Sequence, residues 1–123
     1  MVGHKSELVF GTLEGKTVVA MRGRFHFYEG HSASKVAEAV QVFAALGCRM
    51  LVVTNAAGCL NIDWKIGDIM VIQDHIYFPG MAGNHALVGK NDDRFGPRFP
   101  PMTEPYSKDL QSIALGVAKE QGI

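Results

Sequence analysis

Three polar side chains that could bind an anion alternate along the segment GRFHFYEG, residues 23–30. In an extended strand, Arg24, His26 and Tyr28 would project from one face, because successive side chains point to opposite sides. A guanidinium pairs with phosphate through two parallel hydrogen bonds, and an imidazole can add a further donor. A phenol can donate to a sugar hydroxyl. The segment therefore predicts a site for phosphate beside a polyol.

A second segment with ligand-binding character is TNAAG, residues 54–58, which follows a continuous apolar run at 49–54. Its small residues would let a ligand approach the backbone closely and meet N–H groups that favour an anion. In open α/β sheets the ligand binds outside the carboxyl ends of the strands. We therefore expect both segments to face one pocket, without a Walker loop or a GxGxxG motif.

The same residues also have simpler structural explanations. Arg24 and Glu29 could pair on the surface, and His26 could be a partly buried histidine whose hydrogen bonds are satisfied. Asn55 is more often a turn residue than a ligand when it stands alone. Phe99 could pack within its loop rather than cover a substrate. The pattern alone favours these explanations over a binding site.

The elements that would position these residues begin with a hairpin and a helix. The β-rich runs ELVFGTL and KTVVAMR flank Glu14-Gly15, a polar pair that favours a tight turn. Apolar residues then recur with helical spacing from residue 36 to residue 46. This pattern predicts a helix with Ser34 as its N-cap and Gly47 at its end.

Later segments complete an α/β pattern. A continuous apolar run predicts a buried strand at 49–54, and a further strand is predicted at 67–76. The strand before the helix, the helix and the strand at 49–54 are expected to form a right-handed βαβ unit with parallel strands. Residues 79–105 contain all five prolines, and the aromatic residues among them favour a functional loop over a disordered one. The stretch at 107–123 predicts a final helix with Gly122 as its stop.

Composition narrows the class of protein. The chain has 123 residues, no formal net charge and 47% hydrophobic residues, which predicts one globular domain rather than a disordered or nucleic-acid-binding chain. We expect a cytoplasmic protein, because no run could span a bilayer and residues 1–20 do not resemble a signal peptide. Cys48 and Cys59 are expected to be free thiols, and the histidines lack zinc-binding spacing.

Four sequence blocks, in this order, resemble the trimeric purine nucleoside phosphorylases: GRFHFYEG, LVVTNAAG, GDIMVIQDHI and NDDRFGPRFPPM. The resemblance covers essentially the whole chain. It implies a mixed, twisted β-sheet flanked by helices, and the reversible phosphorolysis of 6-oxopurine nucleosides such as inosine and guanosine to free base and ribose 1-phosphate. It also implies a homotrimer, inorganic phosphate as co-substrate, no cofactor, and no nucleic-acid or membrane partner.

The resemblance implies a role for each matching residue. Four correspond to the family's phosphate ligands: His4, Arg24, His26 and, through its amide, Ala56. Four correspond to residues beside the nucleoside: Tyr28, Ala57, Gly58 and, reaching into the adjoining subunit's site, Phe99. Two correspond to supporting residues: Glu29 and Asn55.

The sequence also departs from the family pattern. Family chains are more than twice as long, and the groups that bind their purine belong to a C-terminal half without counterpart in this sequence. We therefore expect a single partial phosphorylase domain over residues 1–123, with no catalytic residues of its own and poor activity alone. The alternative is a non-catalytic module that keeps phosphate binding and subunit contacts.

Two smaller points remain open at the level of sequence. Cys59 replaces a glycine of the family, and a positive φ there would cost about 1 kcal/mol of strain. Methylthioadenosine phosphorylase is a sister family, but FHFYEG and TNAAG resemble the purine nucleoside enzymes more closely.

Overall fold

A computed structural model describes residues 7–123, which divide between two compact units. The first unit contains the chain up to Arg49 together with Phe78–Arg98, and the second contains Met50–Tyr77 and Phe99–Ile123. His4, predicted to contact phosphate, lies outside the described residues.

The first unit begins with the predicted hairpin. Strands β1 (Glu7–Leu13) and β2 (Lys16–Arg22) pair antiparallel over their whole length. The turn between them places Glu14 at φ 47° and Gly15 at φ 72°. Two successive left-handed residues match the right-handed twist of the strands, so the turn holds the register. At the other end, Arg22 donates to Glu7 over 2.6 Å.

Helix α1 spans Ala33–Ala45 and follows the hairpin in the first unit. Its N-cap is Ser32, whose hydroxyl accepts from the Lys35 backbone N–H, so the prediction of Ser34 is wrong. Ser32 has the extended backbone that a cap requires, whereas Ser34 already lies in the first helical turn. At the other end Gly47 has φ 80°, and its predicted role as the stop is confirmed.

The proline-rich region contains more order than its sequence suggests. A short helix, α2, spans Phe78–Met81, and a 3₁₀ helix spans Asp93–Phe95. Asp92 caps the 3₁₀ helix and also binds the Arg94 guanidinium. The Asn91 side chain donates to the Gly96 carbonyl over 3.1 Å and so links the two ends of this short loop. The loop predicted at 79–105 therefore contains local hydrogen-bonded turns.

The second unit contains helix α3, Lys108–Gln121. Ser107 caps its start and Gly122, at φ 72°, ends it, which confirms the predicted helix and stop. Within this unit the Gln111 side chain donates to the Ile72 carbonyl over 3.1 Å. The Tyr106 hydroxyl lies 2.9 Å from Nδ1 of His75. These two contacts attach the helix to the preceding segment.

The predicted strands at 49–54 and 67–76 do not form in this structure. Among residues 7–123, the β1–β2 hairpin is the one sheet, and the βαβ interpretation does not hold there. A β-branched, apolar sequence favours an extended backbone, but a strand also needs a neighbour to complete its hydrogen-bond ladder. That ladder is absent from these two segments in the part of the chain that the structure describes.

Apolar side chains remain partly or fully accessible throughout both units. No residue in the described range 7–123 is fully buried, and Leu60, Ile62 and Ile66 are almost completely exposed. Exposed apolar surface of this extent is typical of surfaces that pack against another chain or segment. Over the same residues, no helix has the length and apolar character needed to cross a membrane.

Candidate functional site

The segment predicted to bind phosphate is a tight turn rather than a strand. Strand β2 ends at Arg22, Gly23 has φ 96°, and residues 24–26 lead without regular structure into a 3₁₀ helix at Phe27–Glu29. The expected alternation of Arg24, His26 and Tyr28 on one strand face is therefore wrong. A positive φ at Gly23 ends the extended backbone of β2, and in the 3₁₀ helix the Glu29 and Gly30 N–H groups donate to the His26 and Phe27 carbonyls.

A carboxylate at the end of this turn holds His26 from two sides. Oε2 of Glu29 accepts the His26 backbone N–H at 2.9 Å and lies 3.1 Å from Nδ1 of the same residue. The two side chains are 24% and 22% exposed, so both are largely shielded from water. A carboxylate at this position favours a proton on Nδ1 and fixes the plane of the ring. The supporting role of Glu29 at a phosphate site stays a prediction.

The phenol of Tyr28 lies against the same imidazole. The ring centroids of His26 and Tyr28 are 4.7 Å apart and their planes differ by 24°, which is a stacked arrangement. Tyr28 is 71% exposed, so its outer face remains open to solvent. His26, predicted to bind phosphate, and Tyr28, predicted to bind the sugar, are thus adjacent. Their backbone is not the single strand that the sequence predicted.

Arg24 lies two residues before His26 in the same turn and is exposed. The intervening Phe25 contacts two residues that the sequence did not indicate, one just before the N-cap of α1 and one in its first turn. Its ring meets the His31 ring edge-on at 5.1 Å, and Nζ of Lys35 lies 5.2 Å from its centroid. The sequence spacing between Phe25 and Lys35 is a weak predictor of this contact, because the two side chains meet only when the chain folds back on itself.

The TNAAG segment belongs to the second unit and is exposed throughout. Asn55 donates through its side chain to the Ala56 carbonyl at 3.0 Å, a local bond of the kind that turns use. A Cβ added at Gly58 would meet no atom within 4 Å, and Ala57 beside it is equally open. The segment therefore offers accessible backbone, as expected of a ligand-binding loop.

Cys59 carries no backbone strain. Within the described range, the one residue other than glycine with a positive φ is Glu14. The possibility of a strained cysteine after Gly58 is therefore wrong, and replacing the family's glycine costs nothing through backbone conformation. The thiol donates to the Asn61 carbonyl at 3.4 Å. Cys48 and Cys59 are both free, as predicted.

Phe99, in the second unit, is 86% exposed, so most of its ring surface is accessible to solvent. Its role beside the nucleoside of an adjoining subunit stays a prediction. In the first unit, the neighbouring part of the loop is held by Asp92 and Arg94 through three close contacts of 2.6–3.1 Å. Hydrogen bonds from this guanidinium lower the pKa of Asp92 below its ordinary value, because they stabilise the charged carboxylate.

The structure therefore brings together one part of the predicted site. His26, Tyr28 and Glu29 form a connected group, with Arg24 in the same turn of the first unit. Asn55 to Gly58 and Phe99 belong to the second unit, and their convergence with that turn stays a prediction. Within residues 7–123, no three histidine, cysteine or acidic side chains are grouped so that they could hold a metal ion.

Comparison with known proteins gives a consistent family match. The sequence profile of the phosphorylase superfamily matches residues 2–123. The chain is 52% identical to a purine nucleoside phosphorylase of Mus musculus over 120 residues, which are 98% of this chain and 42% of the relative. It is also 52% identical to purine nucleoside phosphorylase 1 of Bacillus subtilis, covering 98% of this chain and 44% of that protein.

Solved structures give the same result at the level of the fold. A Schistosoma purine nucleoside phosphorylase in complex with hypoxanthine superposes with a TM-score of 0.89 at 50% identity. The match covers 94% of this chain and 41% of that structure. The same TM-score is found for a Schistosoma structure in complex with guanosine. These matches confirm the expected α/β fold of the nucleoside phosphorylase type, and the chain spans less than half the length of these relatives.

Proposed function

Because this chain belongs to the phosphorylase superfamily, we propose that it carries the phosphate-binding and ribose-binding part of a purine nucleoside phosphorylase. The proposed reaction is the reversible phosphorolysis of 6-oxopurine nucleosides, such as inosine and guanosine, to the free base and ribose 1-phosphate. Support comes from the 52% identity to the Mus musculus and Bacillus subtilis enzymes and from the arrangement of the turn at residues 23–30.

The observation that carries the proposal is the contact of Glu29 with both the backbone and the ring of His26. Because Glu29 contacts Nδ1, Nε2 is the ring nitrogen that would meet phosphate, and it would donate to a phosphate oxygen when both ring nitrogens carry a proton. The backbone contact of Glu29 holds the residue in place. Arg24 supplies a permanent positive charge from the same turn, since a guanidinium stays protonated at neutral pH. Tyr28, stacked on the imidazole, would donate to a ribose hydroxyl beside the phosphate.

This arrangement suits a reaction that depends on position and charge. A phosphate oxygen forms a bond to the anomeric carbon while the bond from that carbon to the purine nitrogen breaks, and the bonding electrons leave with the purine. The ribose becomes cationic in the transition state and is stabilised by the adjacent phosphate. Fixed donors that hold phosphate in this position lower the barrier without a covalent intermediate on the protein.

The groups that would neutralise the departing purine are not among the residues assigned above. We therefore propose no catalytic residue within this chain, and base selection rests on residues outside those identified here. The proposed partners are a purine nucleoside and phosphate, in a homotrimer in which exposed Phe99 contacts an adjoining subunit. The proposed compartment is the cytoplasm, which is consistent with two free thiols. No cofactor is included in the proposal.

Calorimetric titration with inorganic phosphate tests the first half of the proposal. Phosphorolysis of inosine is then measured with the chain alone and after mixing with a polypeptide that carries the C-terminal part of the Bacillus subtilis relative. We expect phosphate binding in both samples and ribose 1-phosphate only in the mixture. Phosphate binding without turnover in either sample would favour the non-catalytic module. A folded chain that gives no phosphate heat would refute the proposed function.

A further inference from the structure

Phe25 separates the two proposed phosphate ligands, Arg24 and His26, and its ring contacts Lys35 in α1 and a residue just before the helix. Nζ of Lys35 lies 5.2 Å from the ring centroid, within the range of a cation–π contact. The His31 ring meets the same phenyl group edge-on, with centroids 5.1 Å apart and planes at 80°. Both Phe25 and His31 are partly buried, so the contact is shielded from solvent on at least one side.

The position of Lys35 in α1 makes it a stable support. Its backbone N–H donates to the Ser32 hydroxyl that caps the helix, and its ammonium pairs with Glu38 one turn later. The Lys35 side chain is 47% exposed, so its ammonium keeps part of its hydration and does not pay the full desolvation cost of a buried charge. A helix of 13 residues therefore holds the ammonium on the phenyl ring.

Two independent contacts fix the short backbone between Gly23 and Phe27. On one side Glu29 binds the backbone N–H of His26, and on the other α1 holds the ring of Phe25. Because Phe25 shares its peptide bonds with Arg24 and His26, a displaced ring would move both ligands. The positions of Arg24 and His26 therefore depend in part on how Lys35 holds the ring of Phe25.

We propose that Lys35 is a positioning residue for phosphate, acting through its contact with the ring of Phe25. The inference rests on the proposed function, because it assumes that Arg24 and His26 bind phosphate. Lys35 is assigned no contact with substrate. The helix start, supported by His31, holds the turn in the geometry that binds the anion, and loss of the ammonium lets the turn relax.

The test measures phosphate affinity by calorimetry in the full chain. A cation–π contact at an exposed site is worth about 0.5–1 kcal/mol, so Lys35→Met should raise the Kd for phosphate about twofold to fivefold. Lys35→Arg should restore the affinity, because a guanidinium also binds an aromatic face. Lys108→Met is the matched control, since it removes the same charge from an exposed lysine at the start of α3, and it should leave the Kd unchanged.

A double-mutant cycle separates positioning from a direct effect of charge. If Lys35 acts through the ring, then Lys35→Met should add nothing in a Phe25→Leu background, because the shared contact is already lost. An equal loss in both backgrounds would mean that the ammonium attracts phosphate directly, and it would overturn the proposal. An unchanged Kd in Lys35→Met, with binding retained by the unmodified chain, would also overturn it. Absence of phosphate binding in the unmodified chain would refute the proposed function as well.

Discussion

Replacement of Arg24 is the most direct test of where phosphate binds. Arg24→Ala removes the one permanent charge that the proposal places on the anion. A hydrogen bond to a charged group contributes about 1.5–3 kcal/mol, and the exposure of Arg24 to solvent favours the lower limit. We therefore expect the Kd for phosphate to rise about tenfold, since about 1.4 kcal/mol corresponds to a factor of ten.

The assay is calorimetric titration with phosphate at two ionic strengths. The difference between the unmodified chain and Arg24→Ala should shrink at high salt, because counterions screen an exposed charge. Arg24→Lys should recover part of the affinity but not all of it, since an ammonium lacks the bidentate fork. Arg94→Ala is the matched control, because its guanidinium is committed to Asp92. Equal phosphate affinity in Arg24→Ala and the unmodified chain would refute the site.

Three further predictions concern stability and assembly. Gly47→Ala should destabilise the chain by about 1 kcal/mol in chemical denaturation, because its φ of 80° is strained for alanine, whereas Gly116→Ala inside α3 should stabilise it by about 0.5–1 kcal/mol. Equal signs for the two would contradict the backbone argument. Hydrogen bonds from Arg94 lower the pKa of Asp92 in the folded chain. Their contribution to the free energy of unfolding is therefore complete above the ordinary pKa of 3.8, and it is lost as the pH falls through the lower pKa of the folded state. The gap in melting temperature between the unmodified chain and Asp92→Asn should therefore close in acid, and a gap that widens would contradict this. Phe99→Ala should shift light scattering from trimer toward monomer, whereas a strict monomer before the substitution would refute the proposed contact.

Local signals in the sequence predicted the elements whose geometry is set by neighbouring residues. Glu14 and Gly15 both adopt left-handed conformations, which is what a short polar pair between two β-rich runs favours. Gly47 and Gly122 end their helices for the same reason, because glycine tolerates a positive φ without strain. The sequence blocks around Arg24 were also sufficient to indicate the family, which the profile match confirms.

The predicted strands failed because their stability is not local. Residues 49–54 have the apolar, β-branched composition of a buried strand, and a strand is also predicted at 67–76. The structure gives neither segment a hydrogen-bond ladder within the described range. Sequence sets the preference for an extended backbone, but a ladder exists only when another strand supplies its donors and acceptors. Periodicity cannot reveal whether such a neighbour is in place.

Residue types at 24–29 determined the chemistry of the candidate site, and tertiary structure decided its geometry. The sequence contained a guanidinium, an imidazole, a phenol and a carboxylate, which made an anion site beside a sugar a candidate that the family resemblance then favoured. It could not predict that the carboxylate of Glu29 captures the backbone of His26 and bends the segment into a 3₁₀ turn. Nor could it place Lys35 on the ring of Phe25. Both contacts join groups that are several residues apart in the chain. Their distance in space is set by the conformation of all the residues between them, which neither residue type determines by itself.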